Sequence, residues 1–200
     1  MVFSTELANK IEVIDGGSKY LEAGIHDNVA LVSARAATSI NGNKFLEIKF
    51  EKDGKELIHT EWEPTPNPTT TEENNQKKVT NQVSRIMQIL KCFYPKEVLV
   101  FSGSSYQEFA NWVVNLLNSA DKSKLLKVKV VYNQKGYTTL PNYAKFTFIE
   151  PMELPEGTES KIVELGIDVF TRPVIANKET VEVNPLDALT TSENKDELPF

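Results

Sequence analysis

The sequence predicts a mainly β protein with helical insertions: a five-stranded Greek-key barrel with a helix between strands three and four and an additional inserted helix. Three patterns lead there. Short β-prone runs are joined at Asn41-Gly42 and Asp53-Gly54, both of which favour tight hairpin turns. Between residues 75 and 93 the apolar spacing switches to steps of three and four, the period of a helix. Alternation then returns near residues 125–132 and 145–149. At 40% hydrophobic and 25% charged, the 200-residue chain has the composition of one globular domain with extensions.

The elements follow in order. After an N-terminal arm (1–20), the core is expected over 21–152. Asn28 to Thr38, Lys44 to Glu51 and Leu57 to Trp62 read as three consecutive strands of an antiparallel meander. Pro64, Pro66 and Pro68 forbid a hydrogen-bonded ladder, so the next stretch is a loop. Val79, Val83, Ile86, Leu90 and Phe93 then form one stripe of a long helix, with Lys78, Asn81, Arg85 and Gln88 spread over its other faces. Pro95 ends it, and Val98 to Phe101 is a short strand candidate. Ser105 with Glu108 three residues on has the form of a capping box for a second helix, whose apolar face carries Phe109, Trp112, Val113, Leu116 and Leu117. Leu125 to Tyr132 and Lys145 to Ile149 complete five main strands. Meander, helix, then two strands is the element order of the oligonucleotide-binding (OB) barrel, in which the helix after strand three closes one end.

Charge divides the chain unevenly. Residues 1–150 carry 18 basic and 17 acidic side chains, whereas residues 151–200 carry 4 and 11, so the net charge of −6 belongs to the last quarter. That quarter also holds five of the ten prolines, which predicts an extended Pro- and acid-rich linker (153–190) rather than a second core. An apolar patch, Ile162 to Phe170, interrupts it. No run approaches the roughly 20 apolar residues of a membrane span, and the first residues lack the basic and apolar pattern of a secretory signal, so no membrane association is expected. The lone Cys92 agrees with a reducing compartment.

The chain ends Glu193-Asn194-Lys195-Asp196-Glu197-Leu198-Pro199-Phe200. Solubility accounts for the acids but not for Leu-Pro-Phe at a free terminus, where exposed apolar groups gain nothing by themselves. A terminal Phe can fill an apolar pocket, worth about 1.5–3 kcal/mol, while its α-carboxylate meets a basic side chain. Lys195-Asp196-Glu197-Leu198 is no ER-retention address, because Pro199 and Phe200 follow it.

This tip resembles that of the bacterial and phage single-stranded DNA-binding proteins, which end in a few acids, an aliphatic residue and Pro-Phe. The element order and the stretches Gly136-Tyr137-Thr138-Thr139-Leu140-Pro141 and Phe146-Thr147-Phe148-Ile149-Glu150-Pro151 are similar to phage-encoded members. Two features depart from the family: Lys195 dilutes the acidic run, and the helix after Ser105 lies outside the minimal barrel, so the form of any homo-oligomer is not carried over. The resemblance implies an OB core that coats single-stranded DNA during replication, recombination and repair in the bacterial cytoplasm, or the host cytoplasm for a phage protein. It also implies a docking tip (191–200) whose Asp196, Glu197, Leu198, Pro199 and Phe200 recruit partner enzymes.

Sequence-tolerant strand binding needs ring faces for bases and cations for phosphates. Phe45, Trp62, Tyr137 and Tyr143 are the expected stackers, with Lys44, Lys49, Lys127, Lys129, Lys135 and Lys145 as phosphate partners. Phe45 and Lys49 share a strand face opposite Leu46, Ile48 and Phe50, and Lys127 and Lys129 share another. Trp112 sits on a helical stripe and reads as core. The near-neutral core beside an acidic tail further suggests that tail and DNA compete for one basic groove. His26, His59 and one Cys are too few for a Cys/His zinc site, and neither a phosphate-binding Gly-x-x-x-x-Gly-Lys run nor a Gly-x-Ser-x-Gly elbow is present. A non-enzymatic protein without cofactor is therefore expected. The competing expectation is an OB-type protein-interaction or virion component without DNA affinity.

Overall fold

The computed structural model describes residues 18–174. Residues 1–17 of the expected arm and residues 175–200, which include the whole docking tip with Asp196, Glu197, Leu198, Pro199 and Phe200, lie outside the described residues. The described part is mainly β: an antiparallel open sheet with two helices.

The sheet starts with a hairpin and its extension. Strands β1 (Gly24–Thr38), β2 (Lys44–Lys52) and β3 (Lys55–Trp62) form the expected meander. Gly42 takes φ 80° at the first turn, and Asp53 and Gly54 take φ 51° and 77° at the second. The second turn is a two-residue hairpin, whose twist suits such positive angles, while the first spans residues 39–43; Gly and Asp tolerate these angles. Leu46, Ile48, Phe50 and Leu57 point inward and are fully buried.

β1 serves two neighbours. Its first half pairs with β4 (Leu126–Tyr132) and its second half, from Ala30, with β2. The register shifts between His26 and Val29, where Asn28 sits at φ 60°, and again between Leu31 and Ser33. Such bulges bend a strand and sharpen its twist, which allows β1 to turn from one partner to the other.

β4 also pairs with β5 (Thr138–Thr139) and β6 (Ile149–Pro151), giving the order β3-β2-β1-β4-β5 with β6 beside β4. A closed barrel, expected from the element order, is not formed by backbone ladders: β3 and β5 stand at opposite ends of the paired sheet. Their chains nevertheless run close together, and His59 Nδ1 lies 3.0 Å from Thr139 Oγ1. Residues 145–148, expected within a strand, lie outside β6, although Lys129 N–H still donates to Phe148 O at 2.8 Å.

Helix α1 (Glu72–Lys91) starts three residues before the expected boundary because Thr71 caps it, its hydroxyl accepting from Asn74 N–H, while Glu72 and Glu73 face the positive end of the helix dipole. Ile86, Ile89 and Leu90 are fully buried, but Val79 is exposed, and Gln82 and Arg85 are buried instead. The expected strand at 98–101 is absent; a 3-10 turn at Lys96–Val98 leads into irregular chain. Helix α2 (Tyr106–Ser119) carries the capping box in full: Ser105 Oγ accepts from Glu108 N–H at 3.2 Å, and Glu108 Oε2 accepts from Ser105 N–H at 3.2 Å. Trp112 is partly buried against the core with Phe101 and Phe109, as its spacing predicts.

Beside the apolar contact of Ile86, Ile89 and Leu90 with the core, a buried polar network joins α1 to β3. β3 turns His59 and Glu61 inward, where both are buried. Arg85 grips Glu61 with two bonds, Nε to Oε1 at 2.7 Å and Nη2 to Oε2 at 2.8 Å, and Gln82 Nε2 donates to Oε2 at 3.1 Å and to Trp62 O at 2.8 Å. His59 Nε2 lies 3.2 Å from Glu61 Oε1. Burial alone would raise the Glu61 pKa; the bonds from Arg85 and His59 outweigh it and hold the group at about 2. A carboxylate depressed from the usual 4.5 stabilises the fold fully above that pH and loses its contribution as pH falls toward 2. Glu61→Gln should therefore cost on the order of 3 kcal/mol at pH 7 and flatten the dependence of the urea midpoint on pH between about 4.5 and 2. A variant midpoint as acid-sensitive as the parent's would contradict this.

Candidate functional site

Inward His59 and Glu61 leave Ile58, Thr60 and Trp62 on the outer face of β3, since side chains alternate along a strand. Trp62 is half exposed, and its position is pinned from below: Gln82 holds its carbonyl, and the Tyr106 hydroxyl donates to Glu61 O at 2.6 Å. On one side it packs on Phe45 of β2, the residue opposite it in the ladder, with ring centroids 4.9 Å apart. The Arg35 guanidinium from β1 stands 5.9 Å from the Phe45 ring and is paired with Glu47 at 2.6 Å, so the outward cluster holds two rings and an ion pair.

Beside this cluster runs a groove of about 420 Å³ lined by Tyr20, Ile58, Thr60, Trp62, Asn133, Lys135, Tyr137, Thr138, Thr139 and Arg172. Four segments build it. Residues 18–21 lie parallel along β3, with Leu21 N–H donating to Glu56 O and Glu56 N–H to Lys19 O, both at 2.8 Å, which sets Tyr20 on the rim. The turn between β4 and β5 is organised by Asn133, whose side-chain oxygen accepts from the N–H groups of Lys135 and Tyr137 at 2.9 and 3.0 Å. Arg172 arrives from the C-terminal segment and sits 5.4 Å over the Tyr132 ring. Tyr20, Trp62 and Tyr137 are 42%, 50% and 67% exposed, far more than rings that serve the core. Among the described residues lining the groove there are two cations and no carboxylate. A second depression, about 610 Å³, shares Thr60, Trp62, Asn133 and Thr139 and continues past Trp62 to Lys78 and Asn81, with Arg85 and the carboxylates of Glu61 and Glu63 also in its lining.

Of the ten core residues expected to meet a strand, Trp62, Lys135 and Tyr137 line the groove and Phe45 supports it. Lys44 lies on the same sheet region, 3.9 Å from Glu63. Lys49 faces outward as expected, but Glu56 takes its charge at 2.5 Å, and this hydrogen bond holds Glu56 below the usual carboxylate range. Lys127 is 3.6 Å from Asp27. Lys145 is exposed but does not line the groove.

Two assignments need correction. Lys129 is fully buried and its ammonium is engaged by Asp168 at 2.7 Å, by the Tyr143 hydroxyl at 2.9 Å and by Val163 O, so no phosphate can reach it. Tyr143 is turned into that cluster: its hydroxyl donates to Asp168 Oδ1 at 3.1 Å, its ring packs edge-on against Phe146 and Phe148, and burial, with Asp168 nearby, raises its pKa. In both cases the cause is the segment 160–170, which carries the apolar patch that interrupts the expected linker and packs on the sheet with Ile162 buried. Alternation correctly placed Lys129 on the non-core face of β4; it carries no information about what covers that face.

Tyr20 and Arg172 escaped sequence reasoning. The adjacent Lys19-Tyr20 pair and the apolar patch before Arg172 were the available signals, but both lay in segments expected to be extensions.

A groove of about 580 Å³ between α1 and α2, lined by Val79, Val83, Met87, Phe101 and Trp112 with Glu63 at its edge, contains no cation and does not suit a polyanion. Among the described residues no group of three or more His, Cys, Asp and Glu side chains could hold a metal ion, and no helix is long and apolar enough to cross a membrane. No family model and no curated protein matches this chain.

The exposure of Trp62 gives a direct check. Of the two tryptophans, acrylamide should quench Trp62 well and Trp112 poorly, so Trp62→Phe should remove most of the quenchable emission. Equal quenching of the variant and the parent would place Trp62 elsewhere.

Proposed function

We propose that this protein is a non-enzymatic single-stranded DNA-binding protein that coats unpaired strands during replication, recombination and repair, and that its C-terminal tip recruits partner enzymes. The observation that carries this is the groove beside Trp62, where three exposed rings and two cations meet with no carboxylate among the described lining residues. Each exposed ring face accepts a base irrespective of its identity, and each free cation replaces a counterion on the phosphate track. The continuation past Trp62 toward Lys78 provides room for more than one nucleotide.

The strand order supports an OB-type architecture. β1 shared between β2 and β4, α1 between β3 and β4, and the His59–Thr139 contact between the outer strands are the relations of an OB barrel whose last seam is made by side chains. The ligand groove then lies on the β2–β3 face and the loop after β4, where that architecture holds oligonucleotides. The acidic tip, with Leu198, Pro199 and Phe200, supports recruitment of partners with an apolar pocket and a basic rim. Such a protein works in the cytoplasm of a bacterium or of a phage host.

Titration with oligo(dT) at two salt concentrations tests the proposal: binding should quench tryptophan emission and weaken as salt rises. Trp62→Ala and Tyr137→Ala should each cost about 1–3 kcal/mol of affinity, and Lys135→Ala should lower the salt slope by about one. Removing residues 191–200 should strengthen binding at low salt and leave it unchanged at high salt, where the competing acids are screened. Absence of binding to oligo(dT) even in dilute buffer would refute the proposal.

A further inference from the structure

The apolar patch that interrupts the expected linker lies in segment 160–172, which ends on the groove. Its exposed apolar residues, Val163, Ile167 and Val169, show that hydrophobic burial does little to hold it; Ile162 is its one deeply buried apolar side chain. The fastening is polar instead. The Asp168 carboxylate, fully buried, accepts from Lys129 Nζ at 2.7 Å, from the Tyr143 hydroxyl at 3.1 Å and from Leu165 N–H at 2.8 Å, so the ion pair also folds the segment on itself. Lys129 completes the lock by donating to Val163 O. One residue further, Val169 O accepts from Tyr132 N–H at 2.8 Å, at the end of β4. Three residues beyond that, Arg172 lies over the Tyr132 ring and lines the groove.

We propose that Asp168 and Lys129 are positioning residues for nucleic-acid binding: their buried ion pair latches segment 160–172 to β4 and thereby holds Arg172 in the groove as a phosphate contact. This rests on the groove being the site of single-stranded DNA. Neither latch residue touches the strand. Before the latch the segment is also held by the Glu150 carboxylate of β6, which accepts from the Ser160 hydroxyl and from Lys161 N–H, and by buried Ile162; beyond the latch the Tyr132 N–H to Val169 O bond joins it to β4, so the placement of Arg172 depends on a pair buried elsewhere.

The experiment compares the full chain with Arg172→Ala, Asp168→Asn, the paired replacement Lys129→Met with Asp168→Leu, and each latch variant combined with Arg172→Ala. The paired replacement removes the latch without leaving a lone buried charge, which a single change would do, so it keeps the test open if Asp168→Asn fails to fold. In the parent, Arg172→Ala should weaken oligo(dT) binding about tenfold at low salt and lower the salt slope by about one. A folded latch variant should show the same loss, and adding Arg172→Ala to it should cost nothing more. Hydrogen exchange at the Tyr132 amide, whose acceptor is Val169 O, should accelerate in the latch variants whether or not DNA is present. If a cooperatively melting latch variant keeps the parent's salt slope and still loses affinity on Arg172→Ala, the positioning role is overturned. If the Tyr132 amide is as protected as in the parent, the latch itself is overturned. Failure of the parent to bind oligo(dT) would instead sink the assignment of the groove, with the exchange measurement still deciding the latch.

Discussion

The ion pair between Glu61 and Arg85, with His59 and Gln82 around it, is the constraint from which the rest of the molecule follows. A buried carboxylate is tolerated only when its lone pairs are taken by donors, and here the donors come from a different element, α1. The helix therefore has one acceptable position against β3. The strand, for its part, has one acceptable register, because a slip by a single residue would turn Glu61 to water and bury Trp62. His59 extends the same network to Thr139, which brings β5 toward β3 where no backbone ladder joins them.

Placement of the outer face is a consequence. With His59 and Glu61 inside, Ile58, Thr60 and Trp62 must stand outside, and the groove beside them collects rings and cations from four separate stretches of chain. The distribution of charge over the sheet is selective. Lys49, Lys127 and Lys129 are matched with Glu56, Asp27 and Asp168, while Lys135 and Arg172 face a groove free of carboxylates among its described lining residues. Matched pairs on a surface contribute little to stability and little to attracting a polyanion. Cations with no ion-pair partner among the described residues, beside exposed rings, are the ones that carry field into solution.

Much of the architecture could be read from spacing. Both hairpin turns, the alternation of Leu46, Ile48 and Phe50, the long helix and the Ser105–Glu108 capping box are local rules, satisfied within a few residues, and they appear where they were expected. The misses share a cause as well. Val98–Phe101 has strand composition but pairs with no strand among the described residues, and β5 has only two residues, too short for any alternation to show. Arg85 and Gln82 look like solvent-facing helix residues until Glu61, more than twenty positions away, is found beneath them.

The same division holds for the site. Sequence alone determined which rings and lysines lie on non-core faces of strands and turns, because that depends on a period of two residues, and so Phe45, Trp62, Lys135 and Tyr137 were accessible to it. Which of those residues stay free was decided by tertiary structure. The segment carrying Asp168 folds back over Lys129 and Tyr143 and delivers Arg172 to the groove, and residues 18–21 dock along β3 to deliver Tyr20. Both are long-range closures, governed by a buried ion pair and a parallel backbone contact that no local periodicity encodes.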